Sequence, residues 1–200
     1  MGVHILLETC AQDILRDRDI LARYRQAGIL FIYVGVEATN NMTLDAFKKE
    51  ARFEESKEAL RLIREAGMIV ESSLILGTPG ETPETIEETL RLAKEYDSDF
   101  MHFLLLAPWP YADMYEDLKP YIEVWDYSKY NLVEPVIKPK AMTRDELMQA
   151  VAEVLRGLPL RAPLDEAPLD HLPLQLAQAG QEDREPVPEL LVAHLLLRRG

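Results

Sequence analysis

Two strand-like runs end in side chains that could do chemistry. "FIYVGVE" closes on Glu37, and "VESSLIL" carries Glu71, Ser73 and Ile75 into the turn "GTPGET", which holds Gly77, Gly80 and Glu81. A carboxylate accepts two hydrogen bonds at once and complements a cationic ligand. Two carboxylates within reach of one substrate can also act as general acid and base. Glycine lets a backbone approach a ligand closely or take a dihedral that a Cβ forbids. The turn lacks the GxxxxGK[ST] spacing and lysine of a P-loop, and Glu81 would repel a phosphate. A tight strand-to-helix turn needs the same glycines without any ligand. His4 and His102 have no partner at metal-ligand spacing and read as satisfied core histidines.

The elements that must position these residues follow from the apolar pattern. His4–Thr9, Ile29–Glu37, Met68–Gly77 and Phe100–Ala107 are strand-length apolar runs. Between them the spacing predicts helices over Asp13–Ala27, Glu54–Ala66 and Thr82–Tyr96, the first two ending at Gly28 and Gly67. Thr82 followed by Pro83 is a helix start. Such alternation predicts a parallel α/β sheet or barrel with right-handed crossovers. Within the strands, Ile32, Val34 and Val36 oppose Tyr33, Gly35 and Glu37, and Leu74 and Leu76 oppose Glu71, Ser73 and Ile75. Met101, Phe103 and Leu105 likewise oppose His102. One aliphatic, helix-covered side and one polar side per strand describe a ligand-lined lumen, because buried carboxylates need partners. Strands at a solvent edge would show the same alternation.

Beyond Ala107 the chain becomes rich in Pro, Trp and Tyr, and Trp109, Tyr111, Tyr115, Trp125 and Tyr127 suit either a flat-ring substrate channel or packing beneath a long loop. Thr143–Arg156 is an amphipathic helix with a Thr143/Glu146 capping box. From Leu158 the sequence is Leu/Pro/Ala-rich with no aromatic residue, the composition of a disordered tail or of a frame-shifted one. The expected organisation is therefore a half-barrel over 1–110, an extension with a helix over 111–157 and a low-order tail over 158–200. A net charge of -13 argues against nucleic acid as partner, and no run approaches the roughly 20 apolar residues of a membrane span. The single cysteine, Cys10, and the absence of a secretory leader point to the cytoplasm.

Three stretches taken in order carry a family resemblance. "GVEATN" ends the second of the four strands, "LILGTPGET" the third, and "HFLLLAPWPYAD" the fourth. They resemble the C-terminal half of a radical S-adenosylmethionine (SAM) core, and within it the cobalamin-binding branch that includes oxidative cyclases of tetrapyrrole biosynthesis. "ETCAQDILRDRDILARYRQAGILFIYVGVEATN" is similar to that core's third strand, helix and fourth strand, and the likeness runs from Val3 to Arg156.

The resemblance implies a partial TIM-like β/α barrel of four parallel strands and a partial SAM site. It implies that Glu37 reaches the ribose or aminoacyl part of SAM, with Ser73 beside it. It further implies that Ile75 and Gly77 flank the adenine, that Gly80 and Glu81 shape the pocket, and that Leu106 to Pro108 meet the adenine from the other side. It implies a parent reaction of reductive SAM cleavage and radical oxidation of a small-molecule substrate, a tetrapyrrole such as magnesium-protoporphyrin IX monomethyl ester. That chemistry uses a [4Fe–4S] cluster held by cysteine thiolates, and in this branch cobalamin. One cysteine cannot hold the cluster, so the chain by itself is expected to be inactive. Its expected partner is a cluster-bearing, cobalamin-binding N-terminal half, as a separate chain or an upstream reading frame. Two other readings fit the residues: a non-catalytic truncated gene product, and a small SAM-independent β/α enzyme using Glu37 and Glu71.

Overall fold

The computed structural model describes residues 4–38 and 52–157. The tail from Leu158 and the residues following the GVEA stretch lie outside them, and so does the expectation of a low-order tail.

Four parallel strands, β1 (Ile5–Thr9), β2 (Ile29–Glu37), β3 (Ile69–Leu76) and β4 (Phe100–Leu105), pair in sequence order. Helices α1 (Ala11–Arg16) and α2 (Leu21–Gln26) follow β1, α3 (Phe53–Glu65) precedes β3, and α4 (Pro83–Ala93) precedes β4. Short α5 (Tyr115–Leu118) and the longer α6 (Arg144–Gly157) complete the described chain. Consecutive parallel strands joined by helices make one wall of a TIM-like β/α barrel.

The helix expected over 13–27 is broken. Its two halves are separated by a 3-10 turn at Arg18–Ile20. Asp17, just before that turn, accepts from Arg16 Nε at 2.8 Å and from the Tyr24 hydroxyl. A short acidic side chain that fixes a local turn in this way competes with helix propagation. The other ends follow the predicted chemistry. Thr85 N–H donates to Thr82 Oγ1 at 3.2 Å, and Glu146 N–H to Thr143 Oγ1 at 3.2 Å.

One side of the sheet is sealed. Ile32, Val34, Val36, Val70, Leu74, Leu76, Met101, Phe103 and Leu105 pack against Ala59, Leu60 and Ile63 of α3, Ile86 and Leu90 of α4, and Leu147 and Val151 of α6. Full burial of each large aliphatic side chain contributes roughly 1.5–3 kcal/mol, so this face fixes the register of the whole sheet. A second apolar cluster forms where the segment after β4 folds back, with Leu106, Ala107, Ile122, Tyr130, Val136 and Ile137 at its centre and Ile75 packed on it. That segment is tied to the sheet by Leu105 N–H to Leu132 O at 2.7 Å and to the glycine turn by Lys140 N–H to Pro79 O at 2.9 Å. Among the described residues no helix is long and apolar enough to cross a membrane.

Candidate functional site

The face of the sheet away from the helices carries the polar residues. Glu71 and Ser73 of β3 lie beside Phe100 and His102 of β4, and Tyr33 and Gly35 of β2 lie beside Glu71 and Ser73. The Tyr33 hydroxyl donates to Ser73 Oγ at 2.7 Å, and His102 Nε2 meets Glu71 Oε1. Burial pushes the Tyr33 phenol up; the Ser73 contact opposes this, and the carboxylates of Glu37, Glu71 and Glu8 add to it. Three carboxylates around one phenol make this face electronegative, suited to a cationic ligand. Glu71 thus has His102 as its partner across the strand pair, a contact that the sequence reading, taking the two residues separately, missed. The register that joins them is set by pairing on the opposite, aliphatic face.

Glu37 is presented by an unusual backbone. Its φ is +64°, and the Ala38 N–H donates to the Val36 carbonyl at 2.8 Å, closing a three-residue turn around it. Such turns are rare and strained for a residue with a Cβ. The register with β3 shifts here by one residue. The carboxylate folds back over Gly35: a Cβ built on that glycine would lie 2.8 Å from Glu37 Oε1. Glu37 therefore stands on the same face as Tyr33 and Gly35, as strand alternation predicts, but at the end of the strand.

The glycine turn is organised from inside. Gly77 has φ +81°, a conformation that disfavours a side chain, and a Cβ there would lie 3.0 Å from Leu147 Cδ2 of α6. Its missing side chain thus makes room for a helix. Glu81 is 7% exposed, and accepts from Gly77 N–H at 3.0 Å, Thr78 N–H at 3.4 Å and Thr85 Oγ1 at 2.8 Å. Both its oxygens are used by the turn, so its part in a site is to shape the turn. Gly80 is exposed, with open space where a Cβ would be. Leu106 N–H donates to Leu76 O at 2.9 Å, which ties the exit of β4 to the exit of β3, and Leu106, Ala107 and Pro108 are buried. Ile75 is half-buried at the edge of the second cluster, which also contains Trp109. Trp109 stacks on Tyr111 with ring centres 6.1 Å apart and meets Tyr130 at 5.5 Å.

Among the described residues no group of three or more His, Cys, Asp and Glu side chains could hold a metal ion. Cys10 is exposed, and its thiol donates to Asp13 Oδ2 at 3.2 Å. The donor set does not fit a [4Fe–4S] cluster, which needs several thiolates on one loop.

Comparison with known proteins agrees with this fold. Residues 1–93 match the Radical SAM superfamily. The anaerobic magnesium-protoporphyrin IX monomethyl ester cyclase of Cereibacter sphaeroides is 41% identical over 162 residues, 81% of this chain and 26% of that protein. The protein of the same name from Rubrivivax gelatinosus is 38% identical over 151 residues, 76% of this chain and 27% of that protein. The chain thus spans about a quarter of the length of these relatives. Among solved structures, the radical SAM enzyme coproporphyrinogen III oxidase of Escherichia coli superposes with TM-score 0.58 at 21% identity, over 78% of this chain and 32% of that one. The radical SAM methyltransferase TsrM of Kitasatospora setae, solved with cobalamin and a [4Fe-4S] cluster, gives TM-score 0.51 at 25% identity, over 59% and 22%.

Proposed function

The chain belongs to the radical SAM superfamily, and from that premise we propose that the C-terminal ends of β2, β3 and β4 form part of a SAM site. The observation that carries this is the placement of Glu37, with its carboxylate turned over Gly35 on the polar face of the sheet. Glu37 accepts hydrogen bonds from the ligand's hydroxyl or ammonium groups, with Ser73 and Tyr33 below it. Ile75, the Gly77 backbone and Leu106 to Pro108 form the adenine walls, and Gly80 and Glu81 hold the turn between them. The N–H groups of Gly77, Thr78 and Leu106 are already bonded within the protein. The adenine therefore meets apolar surface there and finds carbonyl oxygens as acceptors for its amino group. Sulfonium and ammonium charge on the ligand complements the surrounding carboxylates.

The reaction served is radical oxidation of a small molecule, and a tetrapyrrole is the substrate class that the names of the relatives support. The aromatic surface of Trp109 and Tyr111, backed by the buried Tyr130 and next to Ile75, offers a flat ring system a stacking face. SAM supplies a one-electron cleavable sulfonium when an iron–sulfur cluster is present. The residues here do not fit that cluster, so it and any cobalamin belong to other polypeptide, joined to this segment or separate. This segment's own work is to bind and orient.

Titration calorimetry with SAM tests the reading. Binding is expected, and Glu37→Gln is expected to weaken it by about 10- to 100-fold, the worth of a charge-assisted hydrogen bond. Absence of binding heat, or equal affinity in the variant, would refute it.

A further inference from the structure

Glu37 is held in its strained turn by a buried group behind the sheet and by the bare Cα beneath its own carboxylate. The residue after it, Ala38, is buried, and its carbonyl accepts from the Tyr96 hydroxyl at 2.7 Å. Tyr96 is 0% exposed, and its ring packs on Phe53 with centres 5.0 Å apart. It sits at the end of the 3-10 turn that prolongs α4, and Arg64 Nη1 of α3 donates to its carbonyl at 3.0 Å. Arg64 also pairs with Asp97 at 3.1 Å, so the backbone that carries Tyr96 is tied to α3. On the other side of Glu37, Gly35 leaves the space that the carboxylate occupies. A positive-φ turn at a residue with a Cβ persists only where its surroundings over-determine it. Here the Tyr96 hydroxyl fixes the exit of the turn, and the bare Cα of Gly35 accepts the carboxylate.

We infer that Tyr96 and Gly35 are positioning residues that pre-organise the Glu37 carboxylate for a cationic nucleoside ligand. The inference rests on the SAM reading for the identity of the ligand, and on geometry alone for the lock. Without the hydroxyl the turn can relax and Glu37 samples other directions. With a Cβ at residue 35, the carboxylate must swing away. The backbone there needs no adjustment, because the nearest atoms a Cβ would meet belong to the flexible end of Glu37 itself. Tyr96→Phe acts on the ligand only through Glu37, whereas Gly35→Ala also adds a methyl to the polar face itself beside Ser73, so Tyr96→Phe is the cleaner of the two changes.

A double-mutant cycle with two readouts tests this on the full chain. Tyr96→Phe and Gly35→Ala should each lower SAM affinity by about 3- to 10-fold, the worth of one hydrogen bond. Each should lower it by less than about 2-fold when Glu37→Gln is already present. Equal losses in both backgrounds would show a general structural effect and overturn the proposal, as would no loss in either. The second readout needs no ligand. Hydrogen exchange of the Ala38 amide, which closes the turn, should speed up by about 10-fold in Tyr96→Phe and stay unchanged in the control Tyr33→Phe. Unchanged exchange in Tyr96→Phe would overturn the lock. If the wild-type chain takes up no SAM, the SAM reading fails by itself, and the Ala38 amide still decides whether the lock exists.

Discussion

Glu81 sits at the centre of the turn after β3 with three hydrogen bonds to its two oxygens. Burial nevertheless pushes its carboxyl above the ordinary value of 4.5, with the bonds from Thr85, Thr78 and Gly77 pulling the other way. A raised folded-state value means that the folded protein holds the proton more tightly than the unfolded chain. The contribution to stability is therefore complete below pH 4.5 and is lost as pH rises through the folded value. Glu81→Gln keeps an acceptor for the two N–H groups and removes the ionisation. Thermal unfolding from pH 4 to 8 should show the variant losing less stability than the wild type on the rising-pH side. Glu81→Ala leaves buried donors without an acceptor and should cost about 1–3 kcal/mol below pH 4.5, a deficit that shrinks as pH rises because the ionisation is removed as well. The family resemblance implies that Glu81 helps shape the pocket. That its carboxylate turns inward depends on donors at Gly77, Thr78 and Thr85, which only a folded turn brings round it.

At the scale of elements, the turn is a joint between β3, α4 and α6. Gly77→Ala should destabilise the protein by about 1–3 kcal/mol, from the positive φ and from the 3.0 Å approach of Leu147. Denaturant melts would measure this, and Leu147→Ala in the same background should recover little, because the backbone cost remains. A full recovery would mean that helix contact alone demands glycine there. Strands and helices were legible because their apolar residues repeat with period two on strands and near 3.6 on helices. The break at Asp17 was not, because it depends on where Arg16 and Tyr24 place their side chains. Tyr96 was also invisible: at the end of an apolar helical stripe it reads as ordinary core, and its partner at Ala38 is 58 residues away.

For the whole molecule, the two edges of the sheet differ. At β4 the backbone of Leu132 covers part of the edge. At β1 the described strand pairs only with β2, and Leu6 is 54% exposed. An apolar parallel edge strand recruits further strands. Mixing the chain with a cluster-loaded polypeptide of the complementary barrel half should yield 5′-deoxyadenosine from SAM under reducing conditions. Leu6→Lys should reduce the yield by placing a charge in the joint. No product with the loaded complement would count against a shared barrel.

The order of apolar runs, the sharing of one sheet face by Glu37, Glu71, Ser73 and Ile75, and the family itself were determined by the sequence, because they rest on local period and on motif order along the chain. Tertiary structure alone decided which of those groups are spoken for. His102 engages Glu71, the glycine turn consumes Glu81, and Tyr96 and Gly35 aim Glu37. Each of these contacts joins residues whose approach is set by sheet register or helix packing, and neither is written in the residues that meet.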